Sequence, residues 1–233
     1  MAGATSLPEL LTTINSFHQS VPDLAAGNMF GSNMFNMLLL GLIGIMTYKT
    51  RVLRKVARRH ALSGSIASLL IVLGSVFIMA NIKISIGWVG LDSILLVIAY
   101  IVSIRLIQTN SPSAKSTGAT DHKPIGDDIP NMRKTVIVFG VATSTLLLVM
   151  PILVQSSKSI AEITGLGVGF IGTALVAIVT SLPELVTTIS AIRLKVYDMA
   201  IGNLYGSNMF NMLVLGISDI FLLDGRFLGS ISS

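Results

Sequence analysis

Two glutamates stand where charge is costly. Glu9 and Glu184 lie in apolar stretches, with no lysine or arginine close in sequence within the same span. An ionised carboxylate facing lipid costs on the order of a few kcal/mol, so something must offset it. The neighbours suggest what. Thr5 and Ser6 precede Glu9 by four and three residues, and Thr180 and Ser181 precede Glu184 in the same way. In a continuous helix that spacing puts hydroxyls and carboxylate on one face. Pro8 and Pro183 lack an amide hydrogen, which frees the carbonyls of Ala4 and Val179. Freed carbonyls at membrane depth are tolerated where they line a cavity or bind ions. Hydroxyls, carbonyls and two carboxylates make an all-oxygen set, the donor type that hard cations such as Ca2+ and Na+ take. Cysteine is absent, and the three histidines (His18, His60, His122) fall at edges or in loops, which argues against zinc and copper. The bland alternative is a protonated glutamate hydrogen-bonded to a neighbouring helix.

A second element carries Asn28, Ser32 and Asn36, matched by Asn203, Ser207 and Asn211. A spacing of four keeps each trio on one helix face. Gly27 and Gly31, and likewise Gly202 and Gly206, are spaced for close helix approach. Asp23 and Asp198 stand at expected helix starts and read as N-caps. Asp92 is placed in the outer third of its span, to cap or pair. Glu162 and Asp219 are expected near outer ends within reach of solvent. Met29, Met34, Met37 and their counterparts read as packing.

These elements must be positioned by a duplication. Residues 1–45 and 176–220 align without a gap at an offset of 175, and 26 of the 45 pairs are identical. Identity concentrates in Thr5–Leu10 with Thr180–Leu185 and in Gly31–Met37 with Gly206–Met212. A repeat kept only for packing would share Leu and Val rather than polar and helix-breaking residues. Two polar, proline-broken copies in membrane-type sequence are the pattern of a secondary transporter with its site at the repeat interface.

Composition agrees. The 233 residues are 52% hydrophobic and 12% charged, with a mean hydropathy of +0.80. A soluble domain carries about a quarter charged residues. Apolar spans are expected at about 22–47, 61–82, 85–107, 134–155, 160–192 and 197–223, after a half-span at 1–17. Residues 160–192 exceed one straight crossing, and Pro183 offers the break. Six of the sixteen basic residues lie in Lys49–Arg59. That clustering marks a cytoplasmic loop rather than a nucleic-acid surface. Alternating from there puts thirteen basic residues inside and Lys83, Lys158 and Arg226 outside. The two repeats' second helices then run oppositely, so the repeats are inverted.

The order T-S-L-P-E-L followed by G-N-x-x-G-S-N-x-F-N, present twice, resembles the two alpha-repeats of the sodium/calcium exchanger family, within the cation/Ca2+ antiporter superfamily. The resemblance implies an all-α, polytopic fold of ten helices, alternating access, and electrogenic exchange of Na+ for Ca2+. By motif position it implies as ion ligands Thr5, Ser6, Glu9, Ser32 and Asn36, with Thr180, Ser181, Glu184, Ser207 and Asn211. The carbonyls of Ala2 and Ala177 would help to bind Na+. Two departures bear on mechanism. Many members carry Asp at one of the positions of Asn36 and Asn211, and Ala4 and Val179 stand where Gly often precedes Thr-Ser.

The domain organisation expected is a first exchanger repeat over 1–107, a cytoplasmic linker over 108–133, and a second repeat over 134–233. By the chain's own symmetry about one and a half helices are expected to be missing before the first repeat and two after the second. The sequence therefore reads as an incomplete exchanger, and residues 1–233 alone are expected not to transport. The leading function is Ca2+/Na+ antiport. Ca2+/H+ antiport and a non-transporting fragment are the alternatives. An intramembrane hydrolase would need a partner base that no span supplies, so no enzyme is expected. Ca2+ and Na+ (or H+) are then substrates rather than cofactors. The expected surroundings are a lipid bilayer, the inner membrane of a prokaryote, with no nucleic-acid partner.

Overall fold

Proline decides where the first helix breaks. Neither Pro8 nor Pro183 can donate a backbone hydrogen bond, and each stands in the first turn of a new helix. The computed structural model describes residues 1–46, 56, 58–110, 132–220 and 227–231. In it α1 (Ala2–Thr5) gives way to α2 (Leu7–His18) at Ser6. The second copy does the same. There α7 (Val168–Thr180) gives way to α8 (Leu182–Arg193) at Ser181, with a bend of 42°. Gly172–Val176 within α7 is a π-helical turn.

The longer helices follow in order. They are α3 (Pro22–Met46), α4 (Ala61–Ala80), α5 (Leu91–Asn110), α6 (Met132–Thr164), the bent pair α7–α8, and α9 (Tyr197–Ile217). A short antiparallel hairpin, β1 (Ser85–Ile86) with β2 (Val89–Gly90), joins α4 to α5. A last turn of helix, α10, spans Phe227–Ser230. Among the described residues four helices are long and apolar enough to cross a membrane, five with the bent pair. α9 (Tyr197–Ile217) is not among these five.

The turn into α3 is built like the turn into α9. Ser20 and Lys195 both take positive φ, 57° and 59°. Val21 N donates to Ser16 O and Val196 N to Ala191 O, each at 2.9 Å. Val21 and Val196 are identical, while Ser20 and Lys195 differ in type yet take the same conformation. The core lies where α3, α4, α5 and α9 meet, around Met29, Leu70, Leu96, Met212 and Leu215. Phe17 and Phe227 close it edge to face at 5.0 Å.

Several expectations need correction. Residues 85–90 form the hairpin, so the span placed at 85–107 starts at Leu91. The span placed at 134–155 continues to Thr164, and the next begins at Val168 rather than 160. The polar run after Val154 does not end the helix, and Ser157 Oγ is satisfied within it by donating back to Leu153 O at 2.7 Å. Gly165, with φ of 71°, ends it. Met34 and Met37 are exposed, whereas Met209 and Met212 are buried. The reason is that α4 and α5 pack on α9. The linker at 108–133 lies outside the described residues for 111–131, and so does most of Lys49–Arg59.

The aspartates also differ from expectation. Asp23 and Asp198 each stand second in their helices rather than at the cap. Asp198 instead pairs with Arg59 at 3.7 Å and His60 at 3.4 Å. Asp92, in the first turn of α5, is buried and accepts the amide of Ser93 at 3.0 Å. Asp219 is not within reach of solvent: it is fully buried. Its carboxylate accepts the amides of Gly90 and Phe227, both at 2.7 Å, tying the hairpin and α10 to the end of α9. Leaving two buried amides without an acceptor costs about 1–3 kcal/mol each. Asp219→Ala is therefore expected to lower the stability of detergent-solubilised protein by about 2–4 kcal/mol in thermal unfolding. Asp219→Asn, which keeps one acceptor, loses less.

Candidate cation site

The two helix breaks face each other, and what crosses between them is ordered by the duplication. Ser6 and Ser181 sit at the breaks with near-identical backbone, φ −90° and −86°. Each hydroxyl reaches the other repeat. Ser6 Oγ donates to Glu184 Oε1 at 2.9 Å, and Ser181 Oγ donates to Glu9 Oε1 at 3.1 Å. Within each repeat, Ser32 Oγ donates to Glu9 Oε1 and Ser207 Oγ to Glu184 Oε1, both at 3.2 Å. Thr5 lies 3.4 Å from Ser207, and Thr180 lies 3.4 Å from Ser32. Each bond maps onto its mate when the repeats are exchanged.

These bonds join eight of the ten residues singled out from the motifs; the other two, Asn36 and Asn211, bond Asn208 and Asn33. All ten are at most 7% exposed. One detail differs from expectation. Thr5, Ser6 and Glu9 are all buried toward the cluster, but the serine, at the helix break, serves the opposite glutamate. The carbonyl of Ala2 accepts Thr5 Oγ1 at 3.0 Å, and that of Ala177 accepts Thr180 Oγ1 at 3.3 Å. Ala4 and Val179, whose carbonyls the prolines were expected to free, lie on the exposed side.

The electrostatics are unusual for a buried pair. Both glutamates are 1% exposed, and among the described residues neither makes an ion pair. Among the ten residues singled out from the motifs, four buried oxygens have no hydrogen-bond partner: Glu9 Oε2, Glu184 Oε2, Asn36 Oδ1 and Asn211 Oδ1. Native proteins leave few such groups, and each calls for a reason. An arrangement of two carboxylates, two amide carbonyls and surrounding hydroxyls can offset the charge of a hard cation.

Asn28 and Asn203, expected to act alike, do not. Asn28 Oδ1 accepts Thr180 Oγ1 at 2.9 Å, while Asn203 Nδ2 donates to Thr187 at 3.3 Å. Two participants went unremarked as individuals in the sequence. Asn33 and Asn208 accept the amides of Asn211 and Asn36 at 3.1 and 2.9 Å. Their signal was present, since both belong to the identical Gly31–Met37 and Gly206–Met212 blocks. A cleft of about 560 Å³ between α3, α4 and α7 contains none of the ten residues and is lined mainly by apolar groups such as Phe30, Ile78 and Phe170.

Comparison with known proteins places this geometry. The family model described as "Sodium/calcium exchanger protein" matches residues 1–108 and 134–229. The inner membrane protein YrbG of Escherichia coli (strain K12) is 29% identical over 219 residues, which cover 91% of this chain and 65% of that protein. This chain therefore spans about two thirds of that relative's length. The sodium/calcium exchanger MaX1 of Methanosarcina acetivorans is 39% identical over 89 residues, 38% of this chain and 25% of that one. Among solved structures, the sodium-calcium exchanger NCX_Mj soaked with 2.5 mM Na+ and 1 mM Sr2+ matches with a TM-score of 0.53 at 24% identity. The match covers 99% of this chain and 72% of that one, and at this identity it speaks to the fold alone.

Proposed function

Because the chain belongs to the sodium/calcium exchanger family, we propose that it exchanges Ca2+ for Na+ across a membrane by alternating access. The observation that carries this reading is the set of four buried, unpartnered oxygens on Glu9, Glu184, Asn36 and Asn211. Two carboxylates balance the charge of one Ca2+ in a low-dielectric interior. Thr5, Ser6, Ser32, Thr180, Ser181 and Ser207 supply neutral oxygens, which suit Na+ as well. Both ions would compete for the same atoms, so binding one requires release of the other. Inverted repeats meeting at such a site can rock about it and open it to one side at a time. Kinship to YrbG, described as an inner membrane protein, supports residence in a prokaryotic inner membrane.

A second reading is Ca2+/H+ antiport. Its support is that each glutamate has one oxygen held by two serine hydroxyls and a second without a partner. A proton on that second oxygen would neutralise a buried charge as a cation does.

Uptake of 45Ca into vesicles containing the reconstituted protein separates the two. Under the Na+ reading an outward Na+ gradient drives uptake, and external Na+ inhibits it. Uptake driven by a pH gradient and indifferent to Na+ would contradict Na+ coupling and favour protons.

A further inference from the structure

Asn33 and Asn208 accept the side-chain amides of Asn211 and Asn36, each across the repeat interface. All four side chains are at most 2% exposed. A primary amide has two unlike ends, a carbonyl oxygen that attracts a cation and an NH2 group that repels it. Which end faces the site depends on what holds the other. In both pairs the NH2 end of one asparagine is held by the other's oxygen, which leaves over the oxygens Asn36 Oδ1 and Asn211 Oδ1 and the amide nitrogens of Asn208 and Asn33.

Resting on the cation reading above, we propose that Asn33 and Asn208 are positioning residues. Each acts through the asparagine of the opposite repeat and keeps that residue's carbonyl oxygen available to the transported cation. Both bonds run between α3 and α9.

The test is equilibrium 45Ca binding to the purified protein. Partners that orient a metal ligand typically cost about tenfold or more in affinity when lost. Asn208→Leu and the smaller Asn208→Ala, which both lack an acceptor, are expected to weaken Ca2+ binding about tenfold. Asn208→Asp keeps an acceptor for the Asn36 amide and is expected not to weaken it. In an Asn36→Ala background, Asn208→Leu and Asn208→Ala should cost nothing further, because the residue they release is gone. The same loss in both backgrounds, or no loss in the wild-type background, would overturn the proposal. Should the Leu variant aggregate, the Ala and Asp variants decide. If Asn36→Ala itself leaves Ca2+ affinity unchanged, the cation reading of that residue fails and this inference with it. If Asn36→Ala weakens binding and the Asn208 variants do not, only the inference fails.

Discussion

Glu9→Gln and Glu184→Gln are each expected to weaken Ca2+ binding at least ~100-fold and to abolish Ca2+ flux. The glutamates hold the only charges among the ten clustered residues, and both are 1% exposed. Two unit charges about 4 Å apart interact by about 4 kcal/mol at an effective dielectric of about 20, and a divalent cation doubles this. Even a third of that difference would exceed the roughly 2.7 kcal/mol that separates affinities 100-fold apart. Glutamine preserves shape and keeps one oxygen for the serine hydroxyls, so the loss reports charge rather than collapse. Glu162→Gln is the control, since that carboxylate is exposed at the far end of α6. It should bind Ca2+ as the wild type does. Equilibrium 45Ca binding and reconstituted flux check both statements, and normal Ca2+ affinity in Glu184→Gln would show the site to be misassigned.

A comparably large effect is expected from a single methyl group at Gly31. A Cβ there would collide with the carbonyl oxygen of Thr173 and lie 2.6 Å from the Cβ of Ala177 and 2.8 Å from the Cα of Thr173. Two of these three atoms are backbone, which cannot rotate away. Relief requires α3 and α7 to separate, and their approach is what holds Ser32 within 3.4 Å of Thr180. Gly31→Ala is expected to cost about 3 kcal/mol, the upper end for overpacking, and to weaken Ca2+ binding as well. Its counterpart is different. A Cβ at Gly206 would meet only the Cβ of Ala2, at 2.8 Å. That atom belongs to a helix of four residues, which can shift. Gly206→Ala should therefore cost less than about 1 kcal/mol. Thermal unfolding in detergent measures the contrast, and equal stability of the two variants would contradict the packing described.

What the sequence could reveal followed from what duplication preserves. Identical polar residues at a fixed offset pointed to the two motif blocks, because a twofold arrangement brings equivalent positions to a shared axis, and the family resemblance selected the ten side chains within them. The prolines marked the helix breaks, because a missing amide hydrogen has the same consequence in any context. Bond partners were not legible. Helical spacing placed Ser6 on the same face as Glu9 but could not show that its hydroxyl reaches Glu184. The roles of Asn33 and Asp219 depend on elements far away in sequence, namely Asn211 and the 85–90 hairpin. Polarity also misled at Ser157, where a side chain that could end a helix bonds back to the turn before it and the helix continues. Met34 and Met37 could not be told from Met209 and Met212 by their motif, since burial is decided by which other helices pack on each copy.

The central claim is that one divalent cation is shared between Glu9 and Glu184. Strontium offers the most direct measurement, because its anomalous scattering locates it independently of the protein atoms. A crystal of the protein soaked in Sr2+ is expected to show a peak within coordinating distance of Glu9 Oε2 and Glu184 Oε2, lost when excess Na+ is added. A peak on other residues, with these two oxygens left uncoordinated, would contradict the account.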